Sequence, residues 1–167
     1  MDTDVLKQAY ALLLTVNRIP QLYYGTEVLM NGTKANNDGY VRQDFPGGFP
    51  GDAHNCFTAE GRSADQNAIF TWISSLLHWR QGNAVVSEGT MTQFIPYKGI
   101  YVVARQHNGH TVMIILNGKR ANNELQISRY AEFLAGHATA KDIITGNTID
   151  LTKNIQLAPK ATLIIEF

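Results

Sequence analysis

The chain has 167 residues, with 14 Lys+Arg balanced by 14 Asp+Glu, so its formal net charge at pH 7 is zero. That balance argues against a general electrostatic nucleic-acid binder. A content of 44% hydrophobic and 17% charged residues argues against intrinsic disorder. At about 150 residues per domain, the length fits one domain or two small ones.

The single cysteine, Cys56, cannot form an internal disulfide and fits either the cytoplasm or a periplasm. No Cys/His zinc spacing occurs, and no cofactor motif is present. The apolar run around Tyr10–Leu14 is too short to span a bilayer, and no basic region precedes it.

In chain order, Val5, Ala9, Leu12, Leu13 and Val16 recur at helical spacing, with Thr3 or Asp4 as the expected cap and Asn17-Arg18 as the end. Tyr10, Ala11 and Leu14 make the other face apolar too, so this helix needs cover on most of its circumference. Ile19–Tyr24 reads as a short strand stopped by Gly25. It is apolar on both faces, as a parallel strand covered on both sides would be. A long irregular stretch, 25–62, carries Asn31-Gly32, Asn36-Asn37-Asp38-Gly39 and Phe45–Asp52; loops of this length are usually functional. Ser63-Ala64-Asp65-Gln66 is a capping box that opens a second helix. Ile69, Trp72, Ile73, Leu76 and Leu77 form its apolar stripe, and Gly82 is the expected terminator.

Beyond about Ser87 the pattern changes to short strands. Ile100–Gln106 and Thr111–Asn117 flank Asn108-Gly109, a strong hairpin signal. Val102, Ala104, Val112, Ile114 and Leu116 are expected on one face, and Tyr101, Val103, Met113 and Ile115 on the other. Further candidates are Met91–Ile95, Leu125–Ile127, Asp142–Ile144, Thr148–Leu151, Ile155–Leu157 and Thr162–Phe167, with helical turns within Ser128–Leu134. The pattern predicts an antiparallel sandwich.

A helix, one buried strand, a long loop and another helix cannot close a core alone. Residues 1–87 therefore read as the end of a larger α/β fold, and apolar surface is expected to be exposed there unless another copy covers it. The alternative is that Ile19–Tyr24 joins the later sheet as an edge strand.

The string Arg18-Ile19-Pro20-Gln21-Leu22-Tyr23-Tyr24-Gly25-Thr26-Glu27 resembles the eighth-strand motif of the α-amylase superfamily, glycoside hydrolase family 13, with Arg18 where the family usually has Gly. Val41–Asp52 is similar to the neopullulanase and cyclomaltodextrinase branch. Leu76-Leu77-His78-Trp79-Arg80 resembles the eighth barrel helix, and the strands after Glu88 resemble the C-terminal β-domain.

The resemblance implies an α+β chain: the last (β/α) unit of a TIM barrel in residues 1–87, then an antiparallel C-terminal β-sandwich in 88–167. Residues 4–16, 19–24 and 64–81 would be the seventh helix, eighth strand and eighth helix. It also implies a parent enzyme that performs retaining hydrolysis of maltodextrins, cyclodextrins or pullulan. That chemistry needs two carboxyl groups about 5–5.5 Å apart. In the family they sit on the fourth and fifth strands, with a third aspartate after the seventh, so no catalytic residue is carried over. The chain alone is expected to be inactive, with α-glucan as a partner only when the missing barrel is present. Self-association through Ile19 to Tyr24 is the expected alternative for the free chain.

The loop after the eighth strand lies on the substrate side of such a barrel. Arg42, Asp44, Phe45 and Phe49 are therefore the candidate substrate-binding residues. The competing reading is that Arg42 and Asp44 pair and merely shape the loop. The five loop carboxylates, Glu27, Asp38, Asp44, Asp52 and Glu60, read as turn formers and ion-pair partners, with Glu27 a buried acceptor. Tyr23 and Tyr24 are expected to pack on opposite faces, and Trp72 and Trp79 in the core. Asn36–Gly39 lacks the later glutamate of a calcium loop and reads as a plain turn. His107 and His110 read as a cross-strand pair rather than metal ligands, and Asn31-Gly32-Thr33 as a chance glycosylation pattern. A second functional class remains open: a free-standing carbohydrate-binding or interaction module, with Tyr97, Tyr101 and Tyr130 as its only aromatic supply.

Overall fold

The structure, a computed structural model, describes residues 2–16, 19–35 and 37–167. The predicted helix end at Asn17-Arg18, the Arg18 departure from the family motif and Asn36 of the Asn36–Gly39 turn lie outside the described residues. The chain forms two compact units, one of residues 20–74 and one of 2–19 with 75–167.

In the larger unit, helix α1 (Thr3–Thr15) forms as predicted, but Asp2 caps it. The Asp2 carboxylate accepts from the amides of Asp4 at 3.2 Å and Val5 at 3.3 Å. Strands β1 (Thr90–Gln93), β2 (Ile100–His107), β3 (His110–Asn117), β4 (Asn123–Leu125), β5 (Thr139–Asp142), β6 (Thr148–Asp150), β7 (Ile155–Leu157) and β8 (Thr162–Glu166) follow. Six form an antiparallel sheet in the order β1-β2-β3-β8-β5-β6, and β4 pairs with β7 in a separate ribbon. A four-residue helix, α3 (Ala84–Ser87), precedes β1, and α4 (Ala131–Leu134) follows a 3-10 turn.

The β2–β3 turn places Asn108 at φ +48° and Gly109 at +81°, the two positive angles that a type I′ turn requires. That two-residue turn also corrects the predicted faces. It pairs Val102 with Ile115, Val103 with Ile114 and Ala104 with Met113. Partner numbers therefore differ in parity, and partners share a face. Val102, Ala104, Met113 and Ile115 look into one core, with Leu125, Tyr130, Leu134, Leu157 and Ile165. The opposite face carries Val103, Arg105, Val112, Ile114 and Leu116, all buried. Helices α1 and α3 contact the sheet, α1 on β3 and β8, α3 on β2 and β3.

Arg105 is fully buried on that second face. Its guanidinium donates to the Thr15 carbonyl at 2.8 Å and to the Gly89 carbonyl at 2.7 Å. Thr15 ends α1, whose last turn has no basic residue of its own. The cation meets the negative end of the helix dipole there. Burial, with the nearby Arg80 charge second, lowers the Arg105 pKa without displacing it from its cationic role.

In the smaller unit, the Ser63–Gln66 capping box forms. The Gln66 amide donates to the Ser63 hydroxyl at 3.2 Å, and the Ser63 amide donates to the Gln66 side-chain oxygen at 2.8 Å. Helix α2 (Ala64–Arg80) follows, its residues up to 74 assigned to this unit and those from 75 to the larger one. Ile69, Ile73 and Leu76 are buried; Trp72 and Trp79 are half-buried and Leu77 is exposed, which corrects the expected core positions. The Trp79 indole donates to Glu166 at 2.9 Å, within the larger unit.

The predicted strand Ile19–Tyr24 is absent among the described residues, and neither sheet includes it. Its backbone finds no ladder partner, and Ile19 is 96% exposed. A strand exists only when its amides and carbonyls pair with a neighbour, so apolar patterning alone could not make one.

Arg105→Ala should cost about 3 kcal/mol or more in urea unfolding, because it opens a cavity and leaves two buried carbonyls unpaired. Arg105→Lys should recover part of that loss, since one ammonium replaces a two-armed fork. An Arg105→Ala chain as stable as the parent would contradict this account.

Candidate functional site

The smaller unit holds a cleft of about 350 Å³, lined among others by Tyr23, Tyr24, Asn31, Tyr40, Arg42 and Gln43. Its backbone is shaped by local bonds. Gly25, at φ +81°, starts a short 3-10 turn, Thr26–Val28. The Thr26 hydroxyl donates to the Tyr23 carbonyl at 2.8 Å. A second 3-10 turn, Asp38–Val41, is capped by Asn37, whose side chain accepts from the Gly39 amide at 2.8 Å.

Gln43 ties the walls together. Its amide donates to the Tyr40 carbonyl at 3.0 Å and to the Asn31 carbonyl at 3.5 Å. Its own carbonyl accepts from the Tyr24 hydroxyl at 2.8 Å. Tyr23 and Tyr24 both face this cleft, with ring centroids 4.8 Å apart. The expectation of opposite faces fails because the segment is not a strand and loses its two-residue period.

Arg42 lines the cleft, and its guanidinium pairs with Asp38 at 3.3 Å. Lys34 also reaches Asp38, at 3.5 Å. The charge partner of Arg42 is thus Asp38 rather than Asp44. Both pairs are exposed and contribute little to stability. Asp44, Phe45 and Phe49 are not among the lining residues. Asp44 lies close enough to act on Tyr24 electrostatically. Phe45 packs on Phe57, centroids 4.6 Å apart, and Phe49 is 59% exposed. The sequence reading singled out neither Tyr40 nor Gln43, although Gln43 lies within the Val41–Asp52 string beside Arg42.

The Tyr24 hydroxyl is held above the ordinary tyrosine value of 10.0. Lost solvation is the largest cause; the Tyr23 hydrogen bond and charge and then Asp44 add to it, and Arg42 opposes it. Chemically the cleft offers aromatic faces, amides and a guanidinium. It can hold an uncharged, hydroxyl-rich ligand by its C–H faces and hydroxyl edges.

Glu27 is half-buried rather than buried. His107 and His110 stand opposite each other beside the hairpin turn. His107 lies 3.0 Å from the Asn108 side-chain amide and 3.8 Å from Glu88. Among the described residues no group of three His, Cys, Asp or Glu could hold a metal ion, and no helix is long and apolar enough to cross a membrane. Of the three tyrosines considered for a binding platform, Tyr130 is in the core, in edge contact with Phe94. Tyr101 is half-buried, and the exposed Tyr97 is faced by Arg129 at 4.7 Å.

Residues 91–166 match the cyclo-malto-dextrinase C-terminal domain family. The resemblance to a C-terminal part of α-amylase superfamily enzymes, read from the sequence, is borne out by this match and by the relatives and structures that follow. An α-amylase of Niallia circulans is 25% identical over 86% of the chain and 25% of its own length. The α-amylase SusG of Bacteroides thetaiotaomicron is 31% identical over 58% of the chain and 16% of its own. A cyclomaltodextrin glucanotransferase of Geobacillus stearothermophilus is 24% identical over 92% and 19%. The chain thus spans a quarter or less of these curated relatives. Among solved structures, an Anoxybacillus α-amylase superposes with a TM-score of 0.72 at 16% identity, over 98% of the chain and 32% of that protein. A maltogenic α-amylase from Thermotoga neapolitana gives 0.66 at 18%, over 100% and 37%. The α+β architecture, dominated by antiparallel sheet, is therefore that of the C-terminal domain of family 13 amylases.

In an alkaline absorbance titration of the tyrosines, Tyr24 should ionise above pH 10.0. A raised folded value keeps the phenol protonated, so the bond to Gln43 persists at neutral pH and is lost as pH rises through that value. Tyr24→Phe should remove one late-ionising component. Loss of only an ordinary component would overturn this placement.

Proposed function

We propose that this chain is the closing part of a retaining α-glucan hydrolase of the neopullulanase or cyclomaltodextrinase type, acting on maltodextrins, cyclodextrins or pullulan. The carrying observation is the match of residues 91–166 to the cyclo-malto-dextrinase C-terminal domain, joined to an amylase fold likeness over 98% of the chain. Residues 1–87 supply the last (β/α) unit of a TIM barrel, and 88–167 the C-terminal sandwich. The unpaired apolar segment Ile19–Tyr24 supports this, because it has the composition of a doubly covered strand and no neighbours. In the complete enzyme the neighbouring strands pair with it. In the free chain the same segment is open to a second copy.

The substrate-side residues are Arg42, Asp44, Phe45 and Phe49. Arg42 donates to sugar hydroxyls, Asp44 accepts from them, and the two phenylalanines cover C–H faces. The acid/base and nucleophile pair belongs to other strands of the barrel. Two of the five loop carboxylates are already committed, Asp38 to Lys34 and Arg42, and Asp52 to backbone amides.

The 167-residue chain should release no reducing sugar from maltodextrin, cyclodextrin or pullulan. Joined to the preceding barrel sequence it should do so, and Arg42→Ala should then lower kcat/KM by about tenfold. Measurable hydrolysis by the chain alone would sink the proposal.

A further inference from the structure

Building on the reading just given, we propose that Asp52 is a positioning residue: it fixes the Phe45–Asp52 turn so that the Phe49 ring stands out as an apolar platform for glucose units of an α-glucan. Phe49 is 59% exposed. A phenylalanine on a slack loop can turn onto nearby apolar surface. This turn is tied at several points. One carboxylate oxygen of Asp52 accepts from the Gly47 amide at 2.7 Å and the Phe49 amide at 3.1 Å. The Asp52 amide donates back to the Phe49 carbonyl at 3.3 Å. The Gly48 amide donates to Phe45 at 3.1 Å, and the Cys56 amide to Pro46 at 2.9 Å.

The sequence removes the remaining freedom. Gly47 and Gly51 adopt φ of +99° and +94°, where side chains are rarely tolerated. A Cβ at Gly47 would fall 2.5 Å from the Asn55 side-chain oxygen. Pro46 and Pro50 have fixed φ. The backbone that carries the ring is thus set before any ligand arrives, and binding need not order the loop.

Phe49 has no polar atom in its side chain, so it recognises only an apolar face. The C–H face of glucose is one. Because both amides bond to one oxygen, the role of Asp52 is that of an acceptor. An asparagine amide oxygen can occupy the same place, whereas alanine offers nothing.

Maltoheptaose titrated into this chain joined to the preceding barrel sequence, with the Gly47 and Phe49 amides followed by NMR, tests this. Phe49→Ala should weaken binding by about tenfold or more. Asp52→Ala should weaken it by about threefold or more, with loss of exchange protection at the Gly47 and Phe49 amides. Asp52→Asn should restore both affinity and protection. Unchanged binding in Phe49→Ala, or an Asp52→Asn chain as weak as Asp52→Ala, overturns the platform and leaves the wider reading standing. No maltoheptaose binding by the unsubstituted joined protein overturns the platform together with the assigned share of the substrate cleft.

Discussion

The larger unit depends on one constraint: strands β2, β3 and β8 are buried on both faces. A sheet of that kind cannot stop at its own hydrogen bonds and must be covered twice. One face receives the β4–β7 ribbon with Tyr130 and Leu134, and the other is contacted by α1 and α3. This explains why α1, distant in sequence, folds with residues 75–167. Its Ala11 and Leu14 lie against apolar surface that no later element covers. Arg105 adds direction to that contact. A purely apolar interface would let the helix slide, whereas a guanidinium fixed to the Thr15 and Gly89 carbonyls accepts one register. The side chain of Gln8 adds a second fixed point, donating to the Asn117 carbonyl at 2.8 Å.

What the sequence made legible was local. The Ser63–Gln66 capping box, the Asn108-Gly109 turn and the eight strands depend on residues within a few positions of each other. Strand positions were found to within a few residues, because alternation and turn signals survive without tertiary context. The hairpin faces were misassigned for a reason of parity: a two-residue loop joins odd to even positions, and counting the turn would have shown it. The Arg105 contacts were not legible, since a charged residue in an apolar strand gives no hint of carbonyls 90 and 16 positions away.

The candidate site was legible as a region more than as a set of contacts. The length and glycine content of the 25–62 stretch marked it, and Arg42 does line the cleft. Its ion pair with Asp38 follows from four-residue spacing around a 3-10 turn, which the patterning did not reveal. Tyr40 lies outside the Val41–Asp52 motif, and Gln43 lies within it but was passed over for its charged and aromatic neighbours. Gln43 matters through three backbone and hydroxyl contacts that only a folded loop can bring together.

Residues 20–52 contain two kinds of structure, and on the proposed barrel reading they would respond differently to its completion. Four amides of the Phe45–Asp52 turn, those of Gly47, Gly48, Phe49 and Asp52, are bonded within the turn itself. Ile19–Tyr24 satisfies almost none of its backbone and is the segment that pairing would reorganise. In a paired strand, successive side chains alternate between faces. Tyr23 and Tyr24, which here share one cleft, would then separate, and at most one could stay beside Arg42. The Tyr24 hydroxyl bond to Gln43 and strand pairing thus compete for the same residues. The recognition geometry that survives both states is the part built on local bonds: Arg42 beside Gln43, and the glycine-proline turn that presents Phe49.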